Sequence, residues 1–204
     1  MDEKVLKTIN SLKQNKIGAN YFETSREAVD NLLSSIPDHA SIGIGGSMTI
    51  RSIGIIDRLK DRGNEILFHW LAENFEEGNK IRKKALDADV YMSSTNALTM
   101  DGKLVNIDGI GNRVAGMFYG PKRVFIVCGI NKIVENVDEG IKRIKSVAVP
   151  LNCERLHYNT PCVKTMQCVN CKVPQRACSI TTIIDWKPML TEIEVVIINE
   201  NLGY

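Results

Sequence analysis

Short apolar runs recur along this chain between segments whose apolar residues fall three or four apart, an alternation that predicts strands interleaved with helices. Val5, Leu6, Ile9 and Leu12 lie at helical spacing within residues 3–16. Thr24 followed by Glu27 is a capping-box signature, opening a second helix through Ala28, Val29, Leu32 and Leu33. Residues 41–45 read as a strand that breaks at Gly46 and Ser47 into a helical pattern carrying Ile50, Ile53 and Ile56. A strand over 65–69, a charged helix over 76–87 and a strand over 89–93 follow. Residues 96–100 and 103–107 flank Asp101-Gly102 as a hairpin. A helix through Val114, Ala115 and Met117 ends at Gly120-Pro121, before a near-continuous apolar strand over 123–128. A helix over 137–147 and strands near 179–184 and 194–198 complete the pattern. Such alternation implies an α/β fold, a largely parallel sheet flanked by helices, in a single domain over residues 1–204.

Composition narrows the function classes. The 204 residues are 44% apolar and 25% charged, ordinary for a globular protein with one core. A net charge of +2, no basic run and few aromatic residues speak against a nucleic-acid partner. No stretch is long and apolar enough for a membrane span. The N-terminus enters an amphipathic helix with no apolar leader, so a cytoplasmic location is expected.

The clearest chemical signal lies late in the chain. Four cysteines form the run Cys162-x5-Cys168-x2-Cys171-x6-Cys178, with Cys153 upstream and Pro174 just after the pair. A CxxC puts two thiolates on one tight turn, and thiolate-only ligation selects zinc, copper(I) or iron–sulfur clusters. Disulfides fit poorly with a reducing compartment. The spacing is neither a common zinc-finger pattern nor the regular ferredoxin run. Pro174 lacks a backbone donor and Arg176 offsets thiolate charge, which favours a [4Fe-4S] cluster on Cys162, Cys168, Cys171 and Cys178, with Cys153 able to replace one; structural zinc is the alternative. Cys128 sits inside an apolar strand and reads as a core residue.

Two glycine-rich turns stand between strand and helix. Gly43-x-Gly45-Gly46-Ser47 would expose free helix N–H groups to a phosphate or carboxylate, with Ser47 as N-cap, or else simply cap the helix. Gly109-Ile-Gly111-Asn112-Arg113 repeats the arrangement, with Asn96, Asn106 and Asp108 beside it. Neither is a dinucleotide fingerprint or a P-loop. Both would lie at the C-terminal ends of strands, where open α/β sheets bind small molecules. Arg113 or Lys122 would add charge. His39, His69 and His157 have no motif partner, and His69 beside Trp70 could join the pocket.

Residues 41–49, Asn96-Ala-Leu-Thr-x-x-Gly102, residues 106–115, Gly120-Pro-Lys-Arg-Val124 and Gly129-Ile-Asn-Lys-Ile-Val134 together resemble the LUD family of lactate-utilization proteins. The cysteine run extends the likeness, which covers most of the chain. The resemblance implies the fold of the glucosamine-6-phosphate deaminase, ribose-5-phosphate isomerase and CoA-transferase superfamily, with homodimerisation among its properties. It also implies a role in oxidation of L-lactate, or a related 2-hydroxy acid, to the oxo acid alongside iron–sulfur oxidoreductase partners. It supplies no catalytic residue: no counterpart of the transferase glutamate can be placed, and Asp101 and Asp108 are the nearest carboxylates. The repeated ferredoxin motifs of larger family members are absent.

The expectation is therefore a small-anion pocket built by Gly45, Gly46, Ser47, Gly109, Gly111 and Asn112 beside a cysteine-held cluster. The competing expectations are a cluster-free enzyme acting on a sugar phosphate or acyl-CoA with structural zinc, and a non-catalytic subunit that docks to an oxidoreductase.

Overall fold

The computed structural model describes all residues 1–204. Helix α1 (Glu3–Gln14) is capped by Asp2 and turns Val5, Ile9 and Leu12 inward. Strand β1 (Gly18–Phe22) follows, then α2 (Ser25–Ser35), capped by Thr24 as its sequence predicts. Strand β2 (Ser41–Ile44) leads into α3 (Met48–Ser52) and α4 (Ile55–Asp61). The single helix expected there is split because Gly54 takes φ +72°, a left-handed conformation that glycine adopts without steric cost. Strand β3 (Glu65–Phe68), α5 (Phe75–Lys84) and β4 (Val90–Ser93) come next.

The hairpin forms as β5 (Ala97–Thr99) and β6 (Leu104–Asp108), followed by α6 (Asn112–Phe118), β7 (Arg123–Gly129) and the two-residue β8 (Ile133–Val134). Helix α7 (Val137–Arg143) does not stop where its apolar spacing fades. It widens into a π-helical turn over Ile144–Ala148 and runs on as α8 (Val149–Arg155). Pro150 lacks the N–H for the ordinary i→i−4 bond, and a locally widened turn accommodates that loss without ending the helix. The short α9 (Pro161–Thr165), β9 (Ile180–Ile184) and β10 (Glu192–Ile198) close the chain.

Six strands form an all-parallel sheet in the order β1-β10-β7-β4-β2-β3. A smaller mixed sheet, β8-β5-β6-β9, is an addition to the expected architecture. Strand β1 had no sequence signal because it is an edge strand with only Ala19 fully buried, so no apolar run marks it.

Strand alternation divides the core between the two faces of the large sheet. Val124, Ile126, Cys128, Val195 and Ile197 face α1 and the small sheet. Phe125, Val127, Val196, Ile198, Ile44 and Met92 face α2, α3 and α4. The central strands of the small sheet, β5 and β6, are buried on both sides: Leu98 and Leu104 join the first core, while Ala97, Val105 and Ile107 pack on Ile144 and Ala148. Cys128 is a core thiol, as its apolar neighbours predict.

Replacing the fully buried Phe125 by alanine is expected to cost about 3–5 kcal/mol, through lost burial plus a residual cavity. The exposed Met189→Ala should stay within about 0.5 kcal/mol of the parent. Urea unfolding followed by tryptophan fluorescence compares the two.

Candidate anion cavity and cysteine cleft

A cavity of about 640 Å3 opens at the C-terminal end of the parallel sheet. Five strands deliver residues to it: Gly46 to Thr49 after β2, His69 and Trp70 after β3, Ser94 to Asn96 after β4, Lys132 after β7, and Gly203 and Tyr204 after β10. From the small sheet come Asp108, Gly109, Ile110 and Asn112. Arg82 of α5, Asn152 and Arg155 of α8, and residues 174–177 of the cysteine segment complete the wall. Parallel strands ending together expose their following loops on one side, which is why the pocket forms there.

The two glycine turns divide their residues: Gly46, Ser47, Gly109 and Asn112 line the cavity, whereas Gly45 and Gly111 serve the protein's own packing. Asp108 Oδ1 accepts from the backbone N–H groups of Ile110 (3.1 Å) and Gly111 (2.7 Å), so the nest at the start of α6 already holds a carboxylate, the protein's own. Gly111 takes φ +98° there and does not line the cavity. Gly45 is likewise withdrawn: its N–H donates to Met92 O at 2.9 Å. A Cβ on it would lie 2.8 Å from Ser93 Oγ and 2.9 Å from both Arg113 Cγ and Tyr91 Oη. It is small so that protein side chains can close over it. Gly46, by contrast, faces the cavity against Trp70 and His69, and Ser47 caps α3 by accepting from Ile50 N.

Arg113 is buried and all five of its N–H donors are used within the protein. Nε donates to Asp108 Oδ2 (3.0 Å), one terminal nitrogen to Ser94 O (3.0 Å) and Asn106 Oδ1 (2.8 Å), and the other to Asn96 Oδ1 and Ile107 O (3.0 Å each). Asn96, Asn106 and Asp108 therefore meet as expected, but around Arg113. Its donors being spent, Arg113 forms part of the wall as scaffold; Lys122 is exposed and away from the cavity.

Free positive charge comes from residues that no motif marked. Arg82 and Arg155 have no carboxylate partner; Arg82 donates to Asn79 and Arg155 to Asn152, and Arg155 stacks 4.5 Å over the Trp70 ring. The buried Nε of each lacks a hydrogen-bond partner, as does the buried Tyr204 hydroxyl. Such atoms are costly unless something supplies the missing bond. Between these arginines His69 is pushed down to about 4, by burial first and then by Arg82 and Arg155. Lys132 is the deepest cation, 3% exposed, with Nζ 2.9 Å from both Thr49 Oγ1 and Ser94 Oγ. Burial pulls its ammonium down to about 7, with Arg143 and Arg113 acting in the same direction.

The four cysteines of the run converge. Cys162, Cys168, Cys171 and Cys178 line one cleft with Val149, Val169 and Lys145. Arg176 ties this loop together, its Nε donating to Cys178 O at 3.0 Å and a terminal nitrogen to Cys171 O at 2.7 Å. Cys153 is buried in α8 beside Thr160 and Cys162, and burial raises its pKa. The thiols share a cleft without being drawn into a coordination shell, for no group of three or more His, Cys, Asp or Glu side chains is arranged to hold a metal ion. Donor chemistry fits a thiophilic metal or cluster: four sulfurs, apolar walls and no carboxylate in the cleft. Cleft and cavity adjoin, because Val149 lines both and Arg176 lines the cavity while bonding the cysteine loop.

The LUD domain family matches residues 5–198. The chain belongs to the LUD domain family. A DUF162 family protein from Deinococcus radiodurans has a similar structure, with a TM-score of 0.54, 13% identity and 96% of each chain covered. Ribose 5-phosphate isomerase A from Neisseria gonorrhoeae aligns over 55% of this chain and 54% of its own, at 14% identity and a TM-score of 0.33. The search of curated proteins found no match. No helix of this LUD domain is long and apolar enough to cross a membrane.

Lys132, Arg82, Arg155 and Tyr204 escaped the sequence reading of this LUD domain. Isolated cations on polar helix faces resemble solvated charges; only the packing of α5 and α8 turns them toward one cavity. For Lys132 the signal was its position three residues beyond the end of a buried strand.

Two outcomes follow. Arg113→Lys should cost about 3–5 kcal/mol in urea unfolding, because it leaves Asp108 and several carbonyls poorly paired in a buried place. His69 should titrate near 4 by NMR. Its folded pKa lies below that of an exposed ring, so its contribution to stability is present above about 6.5 and is lost as pH falls toward 4.

Proposed function

We propose that this LUD domain binds a small organic anion in the cationic cavity and holds an iron–sulfur cluster on Cys162, Cys168, Cys171 and Cys178, serving oxidation of L-lactate or a related 2-hydroxy acid. The observation that carries this reading is the adjacency of the cysteine cleft to a cavity whose unpaired side-chain charges are all positive. Asp108 is the only side-chain carboxylate among the lining residues, and Arg113 neutralises it. An entering carboxylate would find Arg82 and Arg155 unpaired and would supply oxygen atoms to their buried Nε groups and to the Tyr204 hydroxyl. Stacking on Trp70 holds the Arg155 plane in place. Trp70, Val149 and Leu156 line the cavity beside these groups and lower the local polarity in which the contacts form.

A cluster in the cleft would supply either electron relay or an iron able to act as a Lewis acid. Arg176 would offset its charge and, through its bonds to Cys171 and Cys178, would set the loop against the cavity. Cys168 is exposed, so a cluster there would lie near the surface, within reach of an iron–sulfur partner protein.

The cavity volume supports a second reading. About 640 Å3 is the size of pocket that takes a drug-sized ligand, which suits a sugar phosphate or part of an acyl-CoA better than lactate alone, with zinc on the thiols.

Purification without oxygen, followed by iron, acid-labile sulfide and zinc analysis, separates the two. Matching iron and sulfide, lost in Cys171→Ala, is expected for the first; zinc without sulfide would replace it by the second. Calorimetry with L-lactate, pyruvate and ribose 5-phosphate then tests the anion. Arg155→Gln should weaken a carboxylate ligand by roughly tenfold to a hundredfold, the worth of one charge-assisted hydrogen bond. A bound anion should also raise the His69 pKa by neutralising the arginines beside it.

A further inference from the structure

Lys132 has no role in the scheme above, yet it is the most constrained polar group in the cavity. It sits in the short turn after β7, and its amine reaches the cavity floor between the hydroxyls of Thr49 and Ser94. No carboxylate pairs with it; Arg113, Arg143 and the Cys128 thiol are the ionisable groups that act on it. A buried lysine kept only for structure would be expected to have an acidic partner, since an isolated buried ammonium is strongly penalised. An amine set between hydroxyls, facing a pocket and without an acid to retain its proton, is instead suited to act as a nucleophile.

We propose that Lys132 captures the carbonyl carbon of a 2-oxo acid as a Schiff base, with the ligand's carboxylate held by the cavity arginines. The proposal rests on the anion-binding reading of the same cavity and names the carbonyl compound as its ligand class. The Nζ lone pair forms a C–N bond while the carbonyl π pair moves to oxygen, and the Ser94 or Thr49 hydroxyl relays one of the two Nζ protons to that oxygen. A second proton, drawn from solvent, lets the carbinolamine lose this oxygen as water and leaves an iminium; hydrolysis reverses the sequence and returns the proton. Forming that cation inside the protein requires a counter-charge, and the ligand's own carboxylate brings it. This accounts for a cavity that supplies hydroxyls and cations around Lys132 but no unpaired acidic side chain. It also selects for anionic carbonyl compounds over neutral ones, because only the former offset the iminium.

Neutral Lys132 is well populated near pH 7, its ammonium being pulled down to about 7. Capture should therefore be efficient at neutral pH, where an exposed lysine is almost wholly protonated.

The test uses the full chain, purified without oxygen and incubated with pyruvate and sodium borohydride. Reduction should fix a secondary amine whose added mass equals pyruvate less one oxygen atom, mapped by peptide mass spectrometry to Lys132. Acetone, which lacks the carboxylate, should label this position far less. Ser94→Ala, which keeps the lysine, should slow labelling by roughly tenfold through loss of one proton-transferring hydroxyl. Lys132→Met should abolish the adduct if it folds, and the wild-type peptide map decides the matter if it does not. No adduct at Lys132, or labelling equally spread over surface lysines, overturns the proposal. In that event pyruvate binding that persists in calorimetry leaves the anion-binding reading standing, whereas its absence removes both.

Discussion

One guanidinium connects the parts that make the cavity. Arg113 projects from α6, bonds the end of β4 through Ser94 O, and bonds the small sheet through Asn106, Ile107 and Asp108. The large sheet, the small sheet and the helix between them thus share one buried charge. A planar five-donor group suits that task, since it can satisfy several carbonyls and a carboxylate in fixed directions at once. Gly45 and Gly111 follow from the same requirement, one leaving space for the Arg113 stem and the other letting the chain turn so that Asp108 meets it. A glycine pattern that resembles a phosphate cradle here closes around an internal ion pair.

With the internal acid neutralised, the rest of the cavity carries an uncompensated positive field. Cations brought together in a partly dry place repel one another, and the depressed titration of both His69 and Lys132 registers that repulsion together with burial. The unpaired Nε atoms of Arg82 and Arg155 point the same way. The anion proposed above would offset that repulsion, and the extensive two-faced core beneath supplies the stability that carries its cost. The cysteine loop forms one side of this cavity, so metal chemistry in the cleft and ligand binding in the cavity would act on each other over a shared wall of Val149 and Arg176.

Legibility in the sequence followed burial pattern. The strand over 123–129 is flanked by strands on both edges and covered on both faces, so nearly every residue had to be apolar and the run was plain. Strand β1, an edge with one fully buried residue, left no such mark. The helix expected over 137–147 runs on to Arg155, because the folded chain passes Pro150 through a π turn. The hairpin over 96–107 was visible through Asp101-Gly102, but its membership of a second sheet was not: the partners β8 and β9 lie far away in the chain.

The sequence by itself determined the α/β class, the alternation that sorts core residues to two faces, the clustering of the four cysteines and the family. These are properties of local periodicity and of side-chain chemistry, and they do not depend on which distant segments meet. Only the tertiary structure decided that Asp108 fills the nest, that Arg113 is spent on scaffold, and that Arg82, Arg155, Lys132 and Tyr204 face one cavity. Whether a charge is solvated, paired or exposed to a ligand depends on what packs beside it, and that is set by contacts between residues far apart in the chain.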